Sequence, residues 1–218
     1  THTSRFSNNP ELANSGYNVP HTVKASAFYH FNWGTNKLFT TTVGLIYQGQ
    51  SGSPYSLIYS GDINGDNGTS NDLIFIPTDA QVDQMKFLGT DAYTAEQQRA
   101  NLKQWLATTR YVKDHRGEYF ERYGDNLPFE SHFDFHFGQK FGIRTGKYVH
   151  ALELTLDIMN VANLLNKDWG RTFSSGYNSE FVSPITYKGD GVFQFANPSD
   201  MPLKYPSSYY SRWRGQVG

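Results

Sequence analysis

Five stretches of this chain alternate apolar and polar residues with period 2, a pattern that suits extended chain with two unlike faces. The first, HTVKASAFYHFNW at 21–33, puts Val23, Ala25, Ala27, Tyr29, Phe31 and Trp33 on one side. Thr22, Lys24, Ser26, Phe28, His30 and Asn32 take the other. KLFTTTVGLIYQGQ follows after a hairpin-sized GTN and aligns Phe39, Thr41, Val43, Leu45 and Tyr47. The third run, ESHFDFHFGQKF, sets Phe133, Phe135, Phe137 and Phe141 against His132, Asp134, His136 and Lys140. In YVHALELTLDIMNVANLL, Leu152, Leu154, Leu156 and Ile158 oppose Glu153, Thr155 and Asp157. The fifth run, SYYSRWRGQVG, sets Tyr209, Trp213 and Val217 against Arg212, Arg214 and Gln216, and stops in mid-pattern.

Each run has the roughly 9–11 residues that cross a bilayer as a tilted strand. A half-buried sheet of a soluble sandwich alternates in the same way, so periodicity leaves both open. The connections separate them further. Short links at about 34–37 and 142–147 alternate with long ones at roughly 51–129 and 166–207. Loops beyond about 15 residues are uncommon in compact domains. Short turns at one end and long loops at the other are the plan of outer-membrane barrels.

Composition removes several alternatives. Mean hydropathy is −0.59, and no apolar run approaches the ~20 residues of a membrane-spanning helix. Strand spans stay open, because lipid-facing and lumen-facing residues average out. Net charge is −1 with no polybasic segment, so no nucleic-acid partner is expected. With no cysteine, a disulfide scaffold and a Cys-bearing zinc site are excluded. THTSRFSNNPELANSGYN has no Met, basic n-region or apolar h-region, so a mature chain or a piece of a longer one is expected.

The first long connection contains a helical signal. In TAEQQRANLKQWLATT, Thr94 and Gln97 stand at capping-box spacing, and Leu102, Trp105 and Leu106 form a stripe. DAQVDQMKFLG suggests a shorter helix before it. Too few Lys and Arg lie on the polar face for a membrane-surface helix, so packing on the connection's own core is expected.

Several groups of residues are candidates for chemistry. GDINGDNGTSNDL at 61–73 begins like a calcium loop, with Asp62, Asn64 and Asp66 in the first, third and fifth places. It departs from an EF-hand: Asn67 holds the glycine place, Leu73 the twelfth, and Asp72 falls one residue short of the bidentate position. The flanks, SPYSLIYS and LIFIP, also fit extended chain rather than helices. Asp62, Asn64, Asp66 and Asp72 are therefore expected either to ligate Ca²⁺ weakly or to form a turn satisfied by its own Asx bonds. No other cofactor is expected. His132, Asp134 and His136 share a strand face and could hold a metal, or could line a watery lumen. Glu118, Glu121, Asp125 and Glu130 could supply a glycosidase pair, or could pair with Arg116 and Arg122. Trp33, Tyr47, Tyr209 and Trp213 could stack on sugars or form an interfacial girdle. No G-x-S-x-G, H-E-x-x-H or P-loop is present, and the chain is expected not to be an enzyme.

Four blocks taken together, YQGQSGSPYS, GDINGDNGTSNDLIFIP, HRGEYFERYGDNLPFESHFDFHFGQKF and LELTLDIMNVANLLNKDWG, resemble a known family. They look like the C-terminal part of the β-barrel of a TonB-dependent outer-membrane receptor, of the Oar-like class of Bacteroidota-type bacteria. LDIMNVANLLNKDWG is similar to the N-x-x-N-L-[FL]-[DN]-K ending of the penultimate strand in that family, and SRWRGQVG to the start of the last strand. The resemblance covers about residues 20–218 and is specific at 47–77 and 116–169.

It implies an all-β fold: a segment of a transmembrane antiparallel barrel, with about five C-terminal strands at 21–33, 38–50, 130–141, 148–163 and 208–218. The loops at 51–129 and 166–207 would be extracellular, the first carrying short helices. Plug domain and TonB box are absent from these residues, so a piece of a longer receptor is expected. The implied function is energised passage of a large or scarce substrate across the outer membrane of a Gram-negative bacterium. Its implied partners are the lipid bilayer, the TonB complex of the inner membrane through the plug, and a surface lipoprotein or larger outer-membrane complex. The competing expectation is a secreted soluble β-rich binding module of the carbohydrate-binding type, stabilised by calcium.

Overall fold

The structure, a computed structural model, describes residues 12–175, 181–195, 205–207 and 209–218. The first eleven positions, parts of the second long connection and Ser208, the expected start of the fifth strand, lie outside the described residues. In chain order, β1 (Thr22–Trp33), β2 (Phe39–Gln50) and β3 (Pro54–Ser60) precede α1 (Asp79–Gln84), β4 (Lys86–Phe87), α2 (Ala95–Thr108) and α3 (Arg110–Asp114). Next come β5 (Asp125–Asn126), β6 (Glu130–Thr145), β7 (Tyr148–Met159) and α4 (Val161–Leu165). β8 (Phe173–Ser174), β9 (Phe181–Tyr187), β10 (Val192–Phe195), β11 (Tyr205–Pro206) and β12 (Arg214–Val217) complete the chain. Strand predominates over helix. Among the described residues the strands do not close into a barrel, and no helix is long and apolar enough to cross a membrane.

The elements fall into two compact units. One draws its described residues from Val19–Gly52, Pro128–Phe173 and Pro206–Gly218. It is a five-stranded sheet in the order β1-β2-β6-β7-β12, antiparallel throughout. Two connections in it are tight. Gly146 (φ 61°) opens the two-residue turn between the paired Thr145 and Tyr148. Gly34 (φ 79°) must lack a side chain, since a Cβ there would lie 2.3 Å from the Phe39 ring that stacks on Trp33. The other two connections leave the opposite end, where Gln50 pairs with Glu130 and Met159 with Arg214. β7 ends at Met159, short of the expected 163, because Asn160 turns the chain left-handed (φ 55°, ψ 49°) into α4.

The second unit comes from those two long connections, which hold strands as well as helices. Its described residues fall within Thr1–Asn18, Ser53–Leu127 and Ser174–Tyr205. Its sheet runs β4-β10-β9-β3-β5, with β3 parallel to β9 and β10 parallel to β4. The register slips between Leu57 and Tyr59 opposite Ser183 and Pro184. Proline has no ladder N–H to give, and a bulge absorbs it. β3 is buried along nearly its whole length, as a strand covered on both faces must be.

α1 and α2 both start with complete capping boxes, Thr78 with Gln81 and Thr94 with Gln97. Such reciprocal bonds satisfy donors that a helix start leaves open. The α2 stripe of Leu102, Trp105 and Leu106 is buried within this unit, Trp105 lying 5.7 Å from Phe195. Gln98, 1% exposed, joins helix to sheet: Nε2 donates to Leu88 O (2.7 Å) and Tyr93 O (3.2 Å), and Oε1 accepts from Phe195 N (2.9 Å). Gln98→Ala would orphan a buried N–H and C=O and is expected to cost about 2–3 kcal/mol. Urea unfolding checks it; a loss under about 0.5 kcal/mol would mean that these groups find other partners.

Candidate functional site

Antiparallel pairing puts directly opposed residues on one face, so the register of the first sheet settles what each face carries. Ala27 pairs with Leu45, Leu45 with Phe135 and Phe135 with Ile158. One rung towards the turns, Tyr29, Val43, Phe137 and Leu156 line up, and Leu156 also faces Val217. The result is a continuous apolar face across all five strands. Much of it is open, including Tyr29 at 68% and Leu152 at 62% exposure.

Aromatic rings close this face at both ends. Near the turns Trp33 stacks on Phe39 (4.8 Å) and Phe39 meets Phe141 edge-on (6.1 Å). At the other end Tyr47 lies 4.8 Å from Phe133, with its hydroxyl 3.2 Å from Ser131 Oγ. From Phe39 to Tyr47 the strand rises about 27 Å, or about 20 Å of thickness at ~40° tilt, close to the ~25 Å apolar band of outer-membrane barrels. Two polar residues of the face bond to each other beside the ring cluster: Trp33 Nε1 donates to Thr41 Oγ1 (2.9 Å), which donates to Gln139 Oε1 (2.6 Å).

The opposite face carries polar pairs. His30 Nδ1 lies 2.9 Å from Thr42 Oγ1, and Thr40 donates to Asn32 (2.7 Å). Its one large ring, Phe28, lies over Gly44, where a Cβ would come within 2.4 Å, and tilts towards His136. His132, Asp134 and His136 do share this face, but each has a separate partner. His136 Nδ1 is 2.6 Å from Asp157 Oδ1; Asp134 Oδ1 accepts from Asn160 N (2.8 Å); His132 Nε2 faces Thr172 Oγ1 (3.3 Å) and the Glu130 carboxylate (3.9 Å).

The other expected groupings divide in the same way. Asp125 accepts from Tyr55 (2.9 Å) and faces Arg110 (3.3 Å), and burial with that carboxylate holds the Tyr55 phenol well above its ordinary range. Arg116 pairs with Asp79 rather than with Glu118 or Glu121, which are exposed. Arg122 lies over the Tyr123 ring. Glu130 is buried and accepts from Phe173 N (3.1 Å). Tyr209 packs edge-on against Tyr210 with Arg214 over its ring, and Trp213 is exposed.

The acidic loop is tightly bonded within itself. Asp62 accepts from Gly65 N (2.7 Å), Asp66 N (3.1 Å) and Asn67 N (2.9 Å). Asn64 Oδ1 accepts from Asp66 N (2.9 Å), and its amide donates to Asp72 Oδ1. Asp66 accepts from Gly68 N (2.7 Å) and Asn71 Nδ2 (2.9 Å), and Asp72 Oδ2 from Ile63 N (3.0 Å). Asp72 is 2% exposed; burial raises its pKa against the pull of the Ile63 bond, with Asp66 and Asp62 adding to the rise. Among the described residues no three His, Asp or Glu side chains gather as a ready metal cluster.

The raised Asp72 pKa predicts a pH effect. The folded state holds this proton better than the unfolded chain, so the carboxyl contributes most to stability below its unfolded pKa. That contribution falls as pH rises through the folded value. Asp72→Asn is expected to melt higher than the parent at pH 7 in calcium-free buffer, with the gap narrowing towards pH 4. Thermal melts across that range check it, and a gap independent of pH would rule out the carboxylate as its source.

Two structural groupings escaped the sequence argument. Asn160 Nδ2 donates to Gly170 O (2.8 Å) and Ser211 O (3.1 Å), tying the end of β7 to the approach to β12. Asn163 Nδ2 holds Lys167 O (3.1 Å) and Trp169 O (3.0 Å). The N-x-x-N spacing was the signal; what it bonds was not legible. The second is Asn71, whose only mark is its place beside Asp72. Comparison with protein-family models, with curated proteins and with solved structures finds no match to the chain.

Proposed function

We propose that the five-stranded sheet is a stretch of the wall of an outer-membrane β-barrel, belonging to a TonB-dependent receptor of the Oar-like class. The observation that carries this is the two-faced sheet: an open apolar face flanked by aromatic rings and backed by a polar face, with β1 exposed along its whole length and β7 along most of it. A soluble sheet buries one face; a barrel wall gives one to lipid and one to water. Tight turns at one end and long connections at the other support the same reading. The polar rows would then line the lumen, and the unit formed by the long connections would stand outside the cell. The function that follows is energised passage of a large or scarce substrate, driven by the TonB complex through a plug. A surface lipoprotein or larger outer-membrane complex would be its partner at the outer face. Catalysis is no part of this reading.

Site-directed spin labelling tests it, helped by a chain without cysteine. Labels at Leu45→Cys and Leu154→Cys in lipid vesicles should collide with oxygen more than with a water-soluble nickel complex. Labels at Thr42→Cys and Thr155→Cys should show the reverse. Equal access of the nickel complex to both sets would favour the secreted soluble binding module.

A further inference from the structure

We propose that the polar face of the first sheet carries a contact for a small organic carboxylate, with Lys24 as its cation and Ile46 and Phe28 as its apolar wall. The inference names a substrate class for the barrel wall proposed above and rests on that reading for its role in the lumen. A shallow cavity of about 210 Å³ opens where β1 and β2 run away from their turn. Register assigns it to the polar face. Lys24 pairs with Gln48 and Ser26 with Ile46, and these four line it; Ala25 and Tyr47, whose side chains belong to the apolar face, complete its floor.

Two features of this spot point to a ligand. The first is a cation without a counter-charge: among the described residues Lys24 makes no ion pair. The carboxylates nearest to it in register are committed elsewhere. Asp134, in the row of Ser26 and Ile46, accepts from Asn160 N (2.8 Å). Glu130, in the row of Thr22 and Gln50, accepts from Phe173 N (3.1 Å). Both fasten the chain that leaves β7 onto β6, and neither pairs with Lys24. The second feature is apolar surface among polar rows. Ile46 is 39% exposed, and Phe28, in the next row, is 50% exposed.

A ligand that answers both has an anionic head and a short apolar body. A carboxylate can accept charge-assisted bonds from the Lys24 ammonium and a further bond from the Ser26 hydroxyl. Gln48 keeps one N–H for it, since the other reaches Gln50 Oε1 (3.4 Å). Displacing water from Ile46 and Phe28 adds the apolar part of the driving force. Apolar walls with a few polar groups that fix orientation are what small-molecule contacts share. Inorganic phosphate would answer Lys24 but leave both apolar side chains wet.

The test is saturation-transfer NMR on the full chain in detergent, with sodium isocaproate as the probe and empty micelles as the blank. Saturable binding with Kd of about 1 mM is expected for a ligand this small. Acetate, which lacks the body, and isocaproamide, which lacks the charge, should each bind about tenfold more weakly. Lys24→Gln and Ile46→Asn should each cost about tenfold, while Lys140→Gln, on the same face beside the turns, should leave binding unchanged. Absence of saturable isocaproate binding up to about 20 mM in the parent chain overturns the proposal, and this needs no variant to fold. Parent-like affinity in Lys24→Gln overturns it too, by placing the anion elsewhere, and so does equal affinity for the amide. The spin-label test keeps the two readings apart. No binding to a sheet with one lipid-facing and one watery face removes the contact and leaves the wall. Binding to a sheet with both faces open to nickel supports the contact but removes its place in a lumen.

Discussion

Ala27→Arg is expected to destabilise the protein in lipid by about 2–4 kcal/mol, and Ser26→Arg to cost under about 1 kcal/mol. The two positions are neighbours on β1 and differ only in face. Ala27 heads the row through Leu45, Phe135 and Ile158, the middle of the apolar face. Ser26 pairs with Ile46, which pairs with Asp134, so an arginine there joins a polar row. A guanidinium on a lipid face must drag water into hydrocarbon, while on a lumen face it stays hydrated. Guanidinium unfolding from vesicles measures both. Equal losses at the two sites would remove the basis for a membrane wall.

The second large effect lies in the other unit. Phe120→Ala is expected to cost about 3–5 kcal/mol, through lost apolar contact and the cavity it leaves. Phe120 is 1% exposed and its ring lies 4.5 Å from that of Tyr111 and 6.1 Å from that of Tyr55. Its N–H also donates to Ile74 O (2.8 Å), so it anchors the Leu73–Ile76 segment. Denaturant unfolding followed by tryptophan fluorescence reads the loss in a chain that keeps Trp105, buried in the same unit, and carries Trp33, Trp169 and Trp213 replaced by Phe. A cost below about 1 kcal/mol would mean that the neighbouring rings collapse into the space.

How much of this could be read from the residues alone differs between the two units. In the two-faced sheet the signal was strong, because each strand declares its own faces through alternation and its neighbours follow in chain order across tight turns. The helix caps were also legible: Thr94 and Gln97 act on donors within the same turn. The acidic loop was legible as a cluster of oxygens but not as a network. Which N–H each carboxylate accepts depends on backbone angles such as the positive φ of Gly65 and Asn67. The state of Asn71 was not legible at all, because the burial of its amide oxygen without a donor is set by tertiary packing.

What the sequence determined by itself, then, is local: which residues share a strand face, where helices begin, and where chain reversals carry glycine. These follow from a backbone period and from contacts a few residues apart. The tertiary structure alone decided that the two long connections fold together. PYSLIYS and FVSPITY lie far apart in the chain yet pair in parallel as β3 and β9, slipping register opposite Pro184. Buried parallel strands show continuous apolar runs without alternation, so nothing in either segment names its partner. Pairing of that kind depends on a surface that exists only when both segments, the α2 helix and the Leu73–Ile76 segment are already in place.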